Sequence, residues 1–231
     1  MLDLVRGARA FLPLKEAQLR VVVTEVFSPG HFYVRNYAFT EQLQMLEKDL
    51  ASHVKAPAKH GDLFEVGTVW IGREAGGCGR VKILEEQDEG LCDPDAFLTK
   101  CRFLSICLRK LFLGDSFLVR FLDAGWERIL EPSDLFPITP ELINRLPYQA
   151  VRCKLNNVTP LDEEENNDND DDVTERVWSE EAGDLLYELT LSEEDKTTSV
   201  PLFAIALSKE RVEDEGTYVV YENYDAKINC S

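Results

Sequence analysis

Cysteine is sparse and scattered. Cys78, Cys92, Cys101, Cys107, Cys153 and Cys230 form no C-x-x-C pair, and His31, His53 and His60 supply no His-x-x-x-His partner, so the common structural zinc sites are excluded. Thiols used this way point to a reduced, intracellular chain. Positive charge is also in deficit: 25 Lys and Arg stand against 43 Asp and Glu, a net charge of −18. A surface so negative repels phosphate backbones and attracts basic partners, which argues against nucleic acid as a direct ligand and for Arg-rich or Lys-rich peptides. Long apolar runs are missing as well. Asp3, Arg6, Arg9 and Lys15 interrupt any signal-peptide core, and no stretch reaches the roughly 18 apolar residues of a membrane helix. The expectation is neither secretion nor a membrane. Finally, "GREAGGCGR" (72–80) lacks the Gly-Lys-Ser/Thr ending of a phosphate loop and leads into a strand-like segment, so it reads as a β-turn. The three histidines have no carboxylate or cysteine at ligand spacing and read as ordinary surface or barrel residues.

What is present suits one large domain or two small ones, with 44% hydrophobic residues to form a core. "LRVVVTEVFSPGHFYVRN" (19–36) predicts two strands joined at Ser28-Pro29-Gly30. In "FTEQLQMLEKDLASHV" the period changes: Leu43, Leu46, Leu50 and Val54 recur at helical spacing, with Thr40 as N-cap and Glu41 in the first turn. After the loop "APAKHGD", "LFEVGTVWIGREAGGCGRVKILEE" predicts a second strand pair bent at 76–79. Residues 91–112 look helical, with Asp93 as cap and Pro94 at the first helical position, although their nearly all-round apolarity also admits a strand in the second half.

"SFLVRFLDAGWERILEPSDLF" (116–136) alternates apolar and polar residues on both sides of Asp123-Ala124-Gly125, the pattern of a β-hairpin. "TPELINRLP" predicts a short helix capped by Thr139, and "YQAVRCKLNNVTPL" a further strand. "DEEENNDNDDD" (162–172) holds eight acidic residues and no apolar one, so it predicts a disordered, solvated loop; without it the net charge falls to −10. Ser179 is placed to cap a helix carrying Leu185, Leu186 and Leu189, and "VPLFAIALSK" and "GTYVVYENYDAKINCS" read as closing strands.

Six phrases in this order, "VVVTEVFSPGHFYVRN", "VGTVWIGRE" with "GRVKI", "FLVRFLDAGWERI", "LPYQAVRCKLNNVTPL", "WSEEAGDLLYEL" and "VVYENYDAKINCS", resemble the extended Tudor family over nearly all of residues 19–231. The resemblance implies a mainly β fold with helices (α+β): a Tudor β-barrel inserted in a staphylococcal-nuclease-like (OB) β-barrel, the two joined by a long helix. The implied boundaries are an N-terminal extension at 1–18, the first part of the outer barrel and linker helix at 19–63, a Tudor core at 64–138 with a helical insert at about 93–110, and the rest of the outer barrel at 139–231, including the acidic loop.

The resemblance also implies a function. Many such domains are non-enzymatic readers that hold dimethylated arginine tails of Piwi-type proteins in cytoplasmic, perinuclear germ granules (nuage) of the piRNA pathway, a gene-silencing system. A methylated guanidinium keeps its charge, loses N–H donors and suits a box of aromatic rings. The family phrase Trp-Tyr-Arg-Ala-x-Val falls here on Cys78 to Ile83, so the cage Tyr has become Gly79. The phrase Phe-Tyr-Ile-Asp-Tyr-Gly-Asn falls on Arg120 to Trp126: Phe121 keeps one ring, Ala124 loses another, Asp123 is retained and Trp126 replaces the guanidinium-binding Asn. Losing two rings costs about 1–4 kcal/mol of cation–π attraction, roughly fivefold to a thousandfold in affinity. Trp126 and Trp70 are the aromatics available to rebuild a wall.

The expectation is therefore a non-catalytic interaction scaffold with a degenerate cage. The alternatives are a working methylarginine reader of Arg-Gly tails and a single-stranded RNA-binding module. The outer barrel can in principle carry phosphodiester cleavage, but Arg20 and Arg35 have no convergent set of carboxylates nearby. No cofactor is expected. Lys100, Arg102, Arg109 and Lys110 in the insert form a basic cluster that suits a partner surface. The expected setting is a larger germline protein, a Spindle-E-type RNA helicase or a Tejas-type scaffold; no helicase motif occurs in this sequence, so any ATPase activity would lie elsewhere.

Overall fold

The computed structural model describes residues 18–55, 64–87, 116–160, 177–192, 199–213 and 220–229. Nearly all of the 1–18 extension, the insert at 93–110 with its basic cluster, and the acidic loop at 162–172 lie outside the described residues. The chain divides into two compact units. One holds Glu41–Tyr148; the other holds the strands before Thr40 and everything described from Gln149 onward.

The second of these is a closed barrel of β1 (Leu19–Ser28), β2 (His31–Asn36), β8 (Val151–Leu155), β10 (Val220–Asn229) and β9 (Leu202–Glu213), in that order around the ring. Its pairings are antiparallel except β8 with β10, which run parallel. Alternation selects the core. Val21 and Val23 on β1, Phe32 and Val34 on β2, Val151 and Cys153 on β8, and Leu202, Ala204 and Ala206 on β9 all point into one buried cluster. A register shift between Val23 and Glu25 changes the phase on β1, so Val26 rather than Glu25 enters the core. Burial also drives the Cys153 thiol far above its ordinary range, so it stays protonated and inert. β2 and β8 are hydrogen-bonded neighbours, Phe32 opposite Cys153, although Glu41–Tyr148 lies between them in the chain. That is the inserted arrangement the resemblance implies.

The inserted unit is a five-stranded antiparallel sheet, order β6-β5-β4-β3-β7, from β3 (Val69–Glu74), β4 (Gly77–Gln87), β5 (Ser116–Phe121), β6 (Glu127–Leu130) and β7 (Leu135–Phe136). Val81, Ile83, Phe117, Val119, Phe121, Leu130 and Leu135 form its core. Each aliphatic or aromatic side chain buried this way stabilises the fold by about 1.5–3 kcal/mol before entropy is counted. The helix α1 (Thr40–His53) buries Leu43, Leu46 and Leu50, three of the four residues whose spacing predicts it.

Some local expectations are corrected. Thr40 does not cap α1: a short 3-10 turn at Tyr37–Phe39 precedes it, Asn36 caps that turn by accepting from the Ala38 N–H at 3.0 Å, and the Thr40 hydroxyl donates to the Tyr37 carbonyl at 2.8 Å. Because the 3-10 turn runs straight into α1, the first orphan amide falls several residues earlier. The short helix α2 (Pro140–Asn144) begins as expected after Thr139, but the Thr139 side chain makes no capping hydrogen bond. In the helix α3 (Glu180–Glu188) Leu186 enters the barrel core, but Leu185, about 100° further round the helix, is exposed, and so is Leu189, the C-cap beyond the last helical residue.

Ser179 caps α3 as expected, accepting from the Ala182 N–H at 3.3 Å, with Glu180 and Glu181 in the positive first turn. Ser179→Ala is expected to lower stability by about 1 kcal/mol, read as a shifted urea midpoint with an unchanged slope.

Candidate functional site

The inserted sheet positions its candidate residues through one hairpin and one buried cation. β5 and β6 turn through Leu122–Trp126, where Gly125 takes φ +90°, a value that favours glycine, and its N–H donates to the Phe121 carbonyl at 2.7 Å. The Phe121 N–H donates to the Trp126 carbonyl at 2.9 Å, closing the hairpin.

Arg80, fully buried on β4, holds this turn from behind. Its Nε and Nη2 donate to the two Asp123 carboxylate oxygens at 2.9 and 2.5 Å. Nη1 donates to the Ile143 and Leu146 carbonyls at 2.7 and 2.6 Å, Nη2 also to Pro147 O at 3.3 Å, and the guanidinium lies 4.8 Å from the centre of the Tyr148 ring. All five N–H donors of the fork are therefore matched. Asp123 is thus turned to Arg80 rather than outward.

In front of the turn, the remaining candidates gather at one end of the sheet. A Cβ built on Gly79 would lie 2.8 Å from Phe121 Cδ1 and 3.1 Å from Cε1, so the Phe121 ring lies directly over the glycine and occupies the space a side chain would need. Phe121 contacts Trp126 ring to ring at 5.7 Å and 57°, and Ala124 and Trp126 pack against the same core. Trp70, opposite Val81, packs against this core too, but through other rings: its ring meets Phe64 at 4.8 Å, Phe64 meets Phe117 at 4.6 Å, and its Nε1 donates to the Thr68 hydroxyl at 2.9 Å. Among the described residues no ring contact joins Trp70 to Phe121 or Trp126. Five candidates, Gly79, Phe121, Asp123, Ala124 and Trp126, gather around the β5–β6 turn, and Trp70 packs against the same core from β3.

Two residues that the sequence reading overlooked complete this end of the sheet. The Arg128 guanidinium lies 5.6 Å from the centre of the Trp126 ring, its Nε is 3.3 Å from Glu74 Oε1, and its Nη1 donates to the Glu127 carbonyl at 2.7 Å. Period-two alternation placed Arg128 on the face of Trp126 and Leu130, a signal legible in "GWERIL"; the contribution of Glu74, from a different strand, was not. Burial raises the Glu74 carboxyl above its ordinary 4.5, and the neighbouring Arg128 charge only partly offsets this. No group of three or more His, Cys, Asp and Glu able to hold a metal occurs among the described residues.

No family model matches the chain, and no curated protein does. Solved structures do. The third extended Tudor domain of mouse TDRD1, in complex with a MILI peptide containing dimethylarginine, is 18% identical and aligns over 96% of this chain and 92% of its own, with a TM-score of 0.62. The extended Tudor domain of BmPAPI is 19% identical over 92% of this chain and 88% of its own, TM-score 0.62. That of Drosophila melanogaster Papi, solved with a dimethylated Piwi N-terminal peptide, is 16% identical over 92% and 89%, TM-score 0.63. The fold is that of an extended Tudor domain.

Two outcomes are expected from this geometry. Asp123→Ala strands a buried cation and lowers stability by about 3–5 kcal/mol, whereas Asp134→Ala, which removes the exposed 3.0 Å pair with Arg73, costs less than about 1 kcal/mol; denaturant titration of both variants gives the contrast. Glu74 is expected to titrate above 4.5 and to move higher still in Arg128→Ala, followed by carboxyl carbon NMR. Because its folded value is raised, the stability it contributes is complete below 4.5 and is lost as pH rises through the folded value.

Proposed function

We propose that this chain, which has the extended Tudor fold, is a non-catalytic protein-interaction module of the piRNA machinery with a degenerate methylarginine cage. Its proposed setting is a cytoplasmic, perinuclear germ granule, within a parent of the Spindle-E or Tejas type. A protein rather than a nucleic-acid partner is supported by the net charge of −18 and by neighbours of the same fold solved with peptides: a MILI peptide on mouse TDRD1, a Piwi peptide on Papi, and a symmetrically dimethylated peptide on human TDRD1.

The observation that carries the degenerate cage is the Phe121 ring lying over Gly79. Where a cage needs a second ring standing apart from the first, the chain has no side chain, and the surviving ring has settled into the vacated space against the core. Ala124 supplies no ring at the other position. A methylated guanidinium entering here would meet the edge of a packed core instead of a box. The competing reading, a working reader, is favoured by the Phe121–Trp126 ring pair.

A calorimetric titration of the chain with an Arg-Gly repeat peptide, unmodified and symmetrically dimethylated, separates the two. No methylation-dependent, saturable heat is expected. Saturable binding that requires methylation would mean that Phe121 and Trp126 still form a cage and that the chain is a reader.

A further inference from the structure

The guanidinium on Trp126 is the chain's own. Arg128 and Glu74 are each about three-tenths exposed, so their pair sits at the surface end of the sheet and not in its interior. The elements are those that would hold an arginine from a partner: one aromatic face for the cation, one carboxylate oxygen for its N–H groups, and one backbone carbonyl, here Glu127 O, for another. Glu127 itself is engaged on its side chain by Arg120, Nε at 3.0 Å and Nη2 at 2.5 Å, so the carboxylate left for this seat is that of Glu74.

We propose that Arg128 is an internal occupant of this seat, and that it is the residue that determines whether the site takes an arginine side chain from another protein. While Arg128 lies between Trp126 and Glu74, an incoming guanidinium must displace a tethered one, whose effective concentration in the folded chain far exceeds that of any partner. With Arg128 removed, Trp126 and Glu74 bind a guanidinium in trans. The seat has one ring and a hydrogen-bonding carboxylate, so it favours a guanidinium that keeps its N–H donors; methylation removes donors without gaining further rings. The ligand class is therefore an arginine-bearing peptide with unmodified arginine. This rests on the reading of the cage as degenerate and adds to it the reason why a remaining ring is not used.

The test is calorimetry on the full 231-residue chain, with the same Arg-Gly repeat peptide in its unmodified and symmetrically dimethylated forms, against wild type, Arg128→Ala and Arg128→Ala/Glu74→Gln. Arg128→Ala is expected to bind the unmodified peptide at least tenfold more tightly than wild type and no less tightly than the dimethylated one, and Glu74→Gln is expected to cancel the gain. Equal affinities for wild type and Arg128→Ala, with circular dichroism showing the variant folded, would overturn the role of Arg128 and leave the degenerate-cage reading standing. Methylation-dependent binding by wild type would instead remove that reading, whatever Arg128→Ala does. A measurement on the unaltered chain covers a variant that fails to fold: the Arg128 Nε–H resonance, if seated on Trp126, is shifted upfield by the indole ring current, and an unshifted resonance would show the seat empty and overturn the proposal.

Discussion

A guanidinium with no exposed surface is tolerable in a protein interior only if every N–H finds an acceptor, and the inserted unit is organised around meeting that condition for Arg80. The acceptors come from places far apart in the chain: a carboxylate from the β5–β6 turn and carbonyls from the end of α2 and the segment after it. Meeting the five donors fixes the turn against β4, and the turn in turn fixes Phe121 and Trp126. The strength of the interaction lies less in its net energy than in the cost of any arrangement that leaves a donor unmatched. The turn that carries the candidate residues is held in place by this one buried group.

Beside that turn a glycine lets a neighbouring ring join the core. With no side chain at position 79, the neighbouring Phe121 ring closes over the backbone and joins the apolar cluster of Val81, Val119 and Leu130. A cavity lined by rings is costly to keep empty, because its walls lose contacts on one side; a ring that can fill it does so. The remaining ring, Trp126, then faces Arg128, which reaches it from the same strand face. This end of the sheet is thus a packed edge crossed by the chain's own Arg128–Glu74 ion pair. The proposed role as an interaction module without methylarginine selectivity follows from that geometry and not from any single missing residue.

The outer barrel answers a different constraint. Its β2 pairs with β8, which the chain reaches only after completing the other unit, and ring closure through the parallel β8–β10 pairing leaves no open strand edge among its five strands. The shift in register on β1 keeps Glu25 out of the core while Val26 enters it, so a sequence with imperfect alternation still fills the interior with apolar groups. An insertion of this size is compatible with such a barrel because both of its ends return to adjacent strands.

Among the described residues the sequence by itself determined the strands and helices, because period-two and period-3.6 apolar patterns report directly which faces must leave water, and the order of phrases was enough to indicate one unit inserted in the other. Gly79, Phe121, Asp123, Ala124 and Trp126 were legible as a group because they lie in two short phrases. Boundaries set by local hydrogen bonding were less so: the cap before α1 depended on whether a 3-10 turn or a helical turn formed first, a difference of a single bond. What only the tertiary structure decided is where long side chains go. That Asp123 turns inward to Arg80, that Phe121 lies over Gly79 and that Arg128 reaches Trp126 and Glu74 all depend on strand register and on contacts between segments up to 67 residues apart. Hydrophobic periodicity fixes which face a residue occupies, but it carries no information about the neighbour it meets there.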